Sequence, residues 1–296
     1  MRIFVTGATG WVGSAIVREL LAEGYRVLGL ARSDAPAETL TRLGVGVQRG
    51  DITDTDSLVS AARECDGVIH TAFIHDFSRY EANVEVDRRA VEAMAGALED
   101  SEKPLVIASG TLMVTMGRTG TSTEKDAPVS PAIPRAASEA AVLAAANRVR
   151  SSLVRLTPTV HGRGDHGFVP AFVDIARRKG FSAYVSEGKN RWPAVHRLDA
   201  AHLFRLALEN AAPGTRLHAV AEEGVPMRSI AETIGSGLGI PVRSISQDEA
   251  PAHFEWIAPF TVIDGPASSA ITRDVFGWSP KQPDLLLDMK ENGYFS

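Results

Sequence analysis

Three glycines near the amino end carry the strongest chemical signal in this 296-residue sequence. Residues 3–6 read as a short apolar strand that runs into Gly7-Ala8-Thr9-Gly10-Trp11-Val12-Gly13, and a helical pattern follows. A strand that turns sharply into a helix presents unpaired backbone N–H groups and the positive end of the helix dipole, and together these hold a phosphate. In this reading Gly7 permits the tight turn, Gly10 lets backbone approach a pyrophosphate, and Gly13 lets the helix pack close. Thr9, Trp11 and Val12 complete the turn. The ligand implied is a dinucleotide.

The second strand, 26–31, bears on which dinucleotide. An NAD site places a carboxylate about 20 residues past the glycines to hold the ribose hydroxyls. Here the strand ends Leu30-Ala31-Arg32-Ser33. The planar guanidinium of Arg32 suits the 2′-phosphate of NADP(H), with Ser33 as a further donor. Asp34, next along the chain, leaves NAD open.

These residues need a scaffold that brings them together. Up to about residue 160, short apolar stretches at 3–6, 26–31, 45–49, 67–71, 105–109 and 153–156 alternate with helical patterns. One such pattern is 14–22, where Ile16, Leu20 and Leu21 recur at helical spacing before Gly24. The alternation predicts an α/β fold, a doubly wound parallel Rossmann sheet over residues 1–160. From 161 onward the regularity loosens, with helical pieces at 169–178, 200–210 and 230–237 between loops. A smaller C-terminal substrate-binding lobe is expected over 161–296, some of its elements returning to the main domain.

Composition narrows the function classes. A net charge of -5 without a long basic run argues against a sequence-independent grip on nucleic acid. No apolar run approaches the roughly 20 residues that span a bilayer, so no membrane partner is expected. The single cysteine, Cys65, can form no internal disulfide, and the chain opens directly on a strand-like stretch, so the cytoplasm is the expected compartment. No metal ligand set is expected; the expected partner is a small-molecule substrate.

Beyond the glycine turn, the chain resembles the extended short-chain dehydrogenase/reductase family, which includes NAD-dependent epimerases and dehydratases and hydroxysteroid-dehydrogenase-like reductases. Gly50-Asp51-Ile52-Thr53-Asp54 resembles that family's adenine-contacting segment, and Val68-Ile69-His70-Thr71-Ala72 its fourth strand, which lies along the cofactor. Asn83, the stretch 105–110, Arg155-Leu156-Thr157-Pro158 and His161-Gly162 follow in family order. The resemblance thus adds Asp51, Ile52, Thr71, Ala72, Pro158 and His161 to the expected cofactor-binding residues, with His161 at the nicotinamide end. It also implies a possible homodimer through helices flanking the sheet. Val195-His196-Arg197-Leu198-Asp199 and Phe276-Gly277-Trp278-Ser279-Pro280 resemble recurring segments of the smaller lobe. His70, His196, Asp199 and Trp278 are expected to serve packing and hydrogen bonding.

The resemblance fails where the family does its chemistry. Its Tyr-x-x-x-Lys pair, with a Ser or Thr, binds the substrate oxygen and sets the tyrosine pKa; here Arg135-Ala136-Ala137-Ser138-Glu139 occupies that segment. The residues four beyond Tyr25, Tyr80 and Tyr184 are Gly29, Val84 and Gly188, and nothing lies four beyond Tyr294, so no such pair exists anywhere. An arginine is a poor proton donor near neutral pH. By its charge Arg135 can steady an oxyanion or hold an anionic substrate, while Glu139 reads as a surface helix residue or as the partner of Arg135. Thr111, with Ser109 as the fallback, is expected to position the substrate. Three functions stay open. The first is an NADPH-dependent oxidoreductase reducing a small carbonyl or imine, its proton coming from water or a histidine such as His75 or His161. The second is a non-catalytic NADP-binding sensor. The third, a sugar-nucleotide epimerase or dehydratase, ranks last because it depends most on the missing tyrosine.

Overall fold

In the computed structural model, which describes residues 1–76, 79–128 and 135–296, the strands are β1 (Arg2–Thr6), β2 (Arg26–Ala31), β3 (Gly46–Arg49), β4 (Gly67–His70), β5 (Ser101–Gly110), β6 (Val149–Leu156), β7 (Thr159–His161), β8 (Ser182–Val185), β9 (Arg191–His196), β10 (Thr215–Ala219), β11 (Glu222–Pro226) and β12 (Val242–Ile245). Seven of them form one parallel sheet in the order β10-β6-β5-β4-β1-β2-β3. The apolar runs seen in the sequence suit strands covered on both faces, and β4 is buried along its whole length. One face packs on helices Trp11–Ala22 and Arg197–Asn210 through Ile16, Leu20, Leu203 and Phe204; the other packs on Thr55–Glu64 and Tyr80–Ala97 through Leu58, Val91 and Met94. The chain leaves β1 in one direction for β2 and β3 and in the other for β4, β5 and β6. At such a reversal two loops part at the C-terminal edge and open a crevice for a ligand.

The remaining strands make a three-stranded sheet, β11-β9-β7, and a pair, β12-β8. They share a second core with helices Phe168–Lys179 and Met227–Leu238, centred on Trp192, Phe172 and Ile230. Trp278 is buried and donates its indole N–H to the Asp199 carbonyl, while the Asp199 carboxylate accepts the backbone N–H groups of Lys281 and Gln282. Both residues thus serve packing and hydrogen bonding, as does His196, which accepts the Leu198 N–H at the start of Arg197–Asn210.

Several elements are longer than their apolar pattern. β5 starts at Ser101, ahead of its apolar run, and β6 starts at Val149, because Ser151 and Ser152 are polar yet buried and so break the apolar run without breaking the strand. The first helix starts at Trp11, directly after Gly10. Among the described residues no helix is long and apolar enough to cross a membrane.

Candidate functional site

The turn after β1 closes against the end of β4. Gly7 has φ +67°, and a Cβ there would stand 2.7 Å from the Ala72 nitrogen and 2.8 Å from Thr71 Oγ1. A Cβ on Gly13 would stand 2.0 Å from the Gly7 carbonyl oxygen, so the helix presses on the turn itself. Gly10 differs: a Cβ would meet nothing closer than 3.1 Å, so its bareness serves whatever approaches from outside. Gly10 caps helix Trp11–Ala22 without a side-chain hydrogen bond, leaving first-turn N–H groups open. Thr71 Oγ1 donates to the Thr6 carbonyl and holds β4 to the turn. A cradle this bare, facing an uncapped helix start, fits a dinucleotide diphosphate.

At the far end of the crevice, Arg32 and Ser33 are exposed at the end of β2, and Ser33 caps helix Asp34–Arg42 without engaging its hydroxyl. Asp34, the residue that kept NAD open, is drawn to Arg49 at 2.6 Å. Asp51 accepts from the backbone and hydroxyl of Thr53 and so shapes its loop, while Ile52 is buried against the sheet.

Two buried polar chains lie beneath the site, and the strand register builds both. Thr6 and His70 are paired residues of β1 and β4. Thr6 Oγ1 accepts the Ala72 N–H and donates to His70 Nδ1 at 2.7 Å, and His70 Nε2 donates to Asp87 at 3.0 Å. Ser138 donates to the other Asp87 oxygen at 2.6 Å. Burial alone would raise the Asp87 pKa; the His70 bond, the nearby positive charges and the Ser138 hydroxyl outweigh it and hold the carboxyl below its usual value. The second chain uses Ser109, Arg155 and His218, side by side on β5, β6 and β10. Glu139 descends on them from helix Ala136–Ala144. Arg155 grips Glu139 with Nε at 2.9 Å and Nη2 at 2.7 Å, and Ser109 donates to Glu139 at 2.5 Å.

This corrects the expectation for Glu139. It is neither a surface residue nor the partner of Arg135; it is 1% exposed and paired with Arg155, because its helix turns that face onto β6. Arg135 stands at the N-cap of the same helix with its guanidinium 4.1 Å over the Phe73 ring. Thr111 follows the last residue of β5, fully buried, and its hydroxyl finds no hydrogen-bond partner among the described residues. Thr111 N–H donates to the Leu156 carbonyl, which puts it beside Thr157 and Pro158 at the end of β6. His161 is buried, with Nδ1 on Asp288 at 2.8 Å and Nε2 unpartnered. Trp11 donates to the Val160 carbonyl at 2.8 Å, so the glycine turn and the segment after β6 are tied together.

The structure therefore gathers Gly7 to Gly13, Thr71 and Ala72 into one cradle, with Thr111 and Ser109 at the end of β5 and Arg32 at the end of β2. Residues that the sequence did not single out are Asp87, Phe73 and His166, whose ring meets Trp11 edge-on at 5.5 Å, and Arg155 was named only as part of its segment, without its pairing to Glu139. A charged residue inside the apolar run of β6 was the one available signal for Arg155.

The sequence profile of the NAD dependent epimerase/dehydratase family matches residues 3–220, which contain the cradle and all of the seven-stranded sheet except Arg2. An uncharacterized protein of Schizosaccharomyces pombe is 47% identical over 100% of both chains. A 2-alkyl-3-oxoalkanoate reductase of Stenotrophomonas maltophilia is 31% identical, covering 81% of this chain and 77% of its own length. The solved dTDP-glucose 4,6-dehydratase of Streptomyces venezuelae, with NAD bound, shares the fold at a TM-score of 0.79 and 21% identity, over 100% of this chain and 96% of that one. The chain belongs to the NAD-dependent epimerase/dehydratase family of extended short-chain dehydrogenase/reductases, which work with a nicotinamide dinucleotide.

Proposed function

We propose that the protein is a cytoplasmic NADPH-dependent reductase of a small organic carbonyl or imine. The observation that carries the reading is Thr111: a fully buried hydroxyl without a partner, at the end of β5 beside the cradle. An unsatisfied buried hydroxyl costs about 1–3 kcal/mol, and a substrate oxygen or nitrogen held there would recover it. Bound in the cradle, a dihydronicotinamide supplies a hydride to an electrophilic carbon. Thr111 then donates to the substrate heteroatom. Ser109 does not compete as a donor, because its proton is committed to Glu139. Each carbonyl reduced consumes one NADPH and one proton. Desolvation and the adjacent Arg135 keep His75 below the usual imidazole value, hence neutral at pH 7, so water is the better proton source there. An iminium arrives already protonated and leaves as a neutral amine.

Arg32 supports NADPH over NADH, since it is exposed and forms no ion pair among the described residues, while Asp34 is held by Arg49. The reductase name of the Stenotrophomonas maltophilia relative supports reduction over epimerisation. The test is NADPH oxidation at 340 nm with a panel of ketones, aldehydes, imines and enones, repeated with NADH and with Arg32→Glu. Turnover with NADPH is expected, and Arg32→Glu should lower kcat/KM for NADPH at least tenfold while sparing NADH. No oxidation with any acceptor, together with strong discrimination between NADP⁺ and NADPH in binding, would replace the reductase by a sensor.

A further inference from the structure

Arg135 is an unusual cation for its position. Its guanidinium carbon sits over the Phe73 ring, and among the described residues it forms no ion pair with a carboxylate. Asp87 feels its charge, yet both Asp87 oxygens are already taken by His70 and Ser138. His75, two residues beyond Phe73, also feels its charge, and His166 follows Asp165 on the turn after β7. Desolvation is the largest influence on His75; the charges that act on it, from Arg135 and His166, are all positive. His166 also meets Trp11, the first residue of the dinucleotide helix, and Phe73 meets His75 edge-on at 5.3 Å. Arg135 and His75 thus meet on the same Phe73 ring beside the cradle, and the guanidinium is the fixed positive charge of that pair. A guanidinium stacked on an aromatic face keeps its N–H edge free for a bidentate oxyanion.

Two oxyanions could arrive there, a substrate carboxylate or the dinucleotide diphosphate. The diphosphate already has the open N–H groups of the turn. Arg135 instead begins the helix whose Ser138 and Glu139 reach Asp87 and Ser109, on the side of the site where Thr111 waits unpartnered. We infer that Arg135, seated on Phe73 beside His75, binds a carboxylate of the substrate, which makes the substrate an oxo or imino acid with its carboxylate close to the reducible carbon. The reducible carbon rests on the reductase reading; the carboxylate site does not.

The experiment compares benzoylformate with its methyl ester as NADPH-consuming substrates of wild type, Arg135→Lys and Arg135→Met, with folding checked by circular dichroism and thermal melting. In parallel, binding of phenylacetate, which carries the carboxylate but no reducible carbon, is titrated calorimetrically into the NADPH-loaded proteins. Wild type should prefer the acid over the ester by about 10- to 100-fold in kcat/KM, as loss of a charge-assisted bidentate contact implies. Arg135→Met should abolish that preference and weaken phenylacetate at least tenfold with the NADPH affinity unchanged; Arg135→Lys should keep part of both. Equal use of acid and ester by wild type, or a preference that survives in Arg135→Met, overturns the carboxylate site and leaves the reductase standing. A tenfold loss of NADPH affinity in Arg135→Met with phenylacetate unaffected also overturns it, by assigning the guanidinium to the diphosphate. If neither compound is reduced, phenylacetate decides alone: Arg135-dependent binding sustains the site and its absence overturns it, while the reductase reading is decided by the wider acceptor panel.

Discussion

At the residue scale, Ser109 and Thr111 stand two positions apart and do opposite work. Ser109 gives its proton to Glu139, whose other oxygen is held by Arg155, so the hydroxyl completes a buried ion pair. Thr111 completes nothing inside the protein. Thr111→Val therefore replaces an unsatisfied hydroxyl by a methyl of similar shape and is expected to leave the melting temperature unchanged or higher, while kcat/KM falls roughly 10²-fold, the low end of what a positioned polar group supplies. Ser109→Ala removes a donor from a buried carboxylate and should cost about 1–3 kcal/mol in urea unfolding. A Thr111→Val protein that melts lower and keeps full turnover would show that the hydroxyl has a structural partner after all. Glu139→Lys would face an ammonium to the Arg155 guanidinium in a site closed to water, where an unpaired charge is severely destabilising.

At the element scale, the glycine turn works because three segments touch with no side chain between them. Gly13→Ala would put a methyl 2.0 Å from the Gly7 carbonyl oxygen, a backbone atom that cannot rotate aside. The expected result is a stability loss of about 1–3 kcal/mol and dinucleotide binding weakened at least tenfold by calorimetry, because the turn must open to make room. Gly10→Ala, which meets the same carbonyl oxygen at 3.1 Å, should cost clearly less stability than Gly13→Ala. This contact was legible in the sequence, since glycine at that spacing between a strand and a helix has few other uses. The strands were legible too, up to the points where Ser151 and Ser152 broke the apolar pattern of β6. The setting of Glu139 was not. Its burial depends on Arg155, 16 residues on, which depends on β5, β6 and β10 lying in register, and no local pattern encodes a contact between a helix and the third strand beside it. The same holds for the tie from Thr6 through His70 to Asp87 and for the neighbourhood of Arg135, Phe73 and His166.

At the scale of the whole molecule, buried polar pairs at strand ends link the cores, and one of them should give the fold a pH-dependent stability. His218 on β10 donates Nδ1–H to the Ser268 carbonyl at 2.8 Å and accepts from Arg155 at Nε2, 3.3 Å away; its backbone N–H donates to Thr272. Burial and the Arg155 charge push its pKa down to about 4, against smaller opposing pulls from Glu124, the Ser268 carbonyl and Glu139. A protonated Nε2 would point its N–H at a guanidinium. Below about pH 6.5 the unfolded chain binds a proton at this histidine while the folded chain does not, until about pH 4. Stability is therefore full above pH 6.5 and declines as pH falls toward 4, by up to about 3 kcal/mol from this group. His196 and His253, also lowered by burial, act with the same sign, and Asp87 and Asp288, held low, act at more acid pH. His218→Gln isolates the contribution: it should be less stable than wild type at pH 7 and lose less between pH 7 and 4.5, the two urea-unfolding curves drawing together. Parallel losses in the two proteins would mean that His218 stays neutral in both states or is relieved of Arg155 by a local opening.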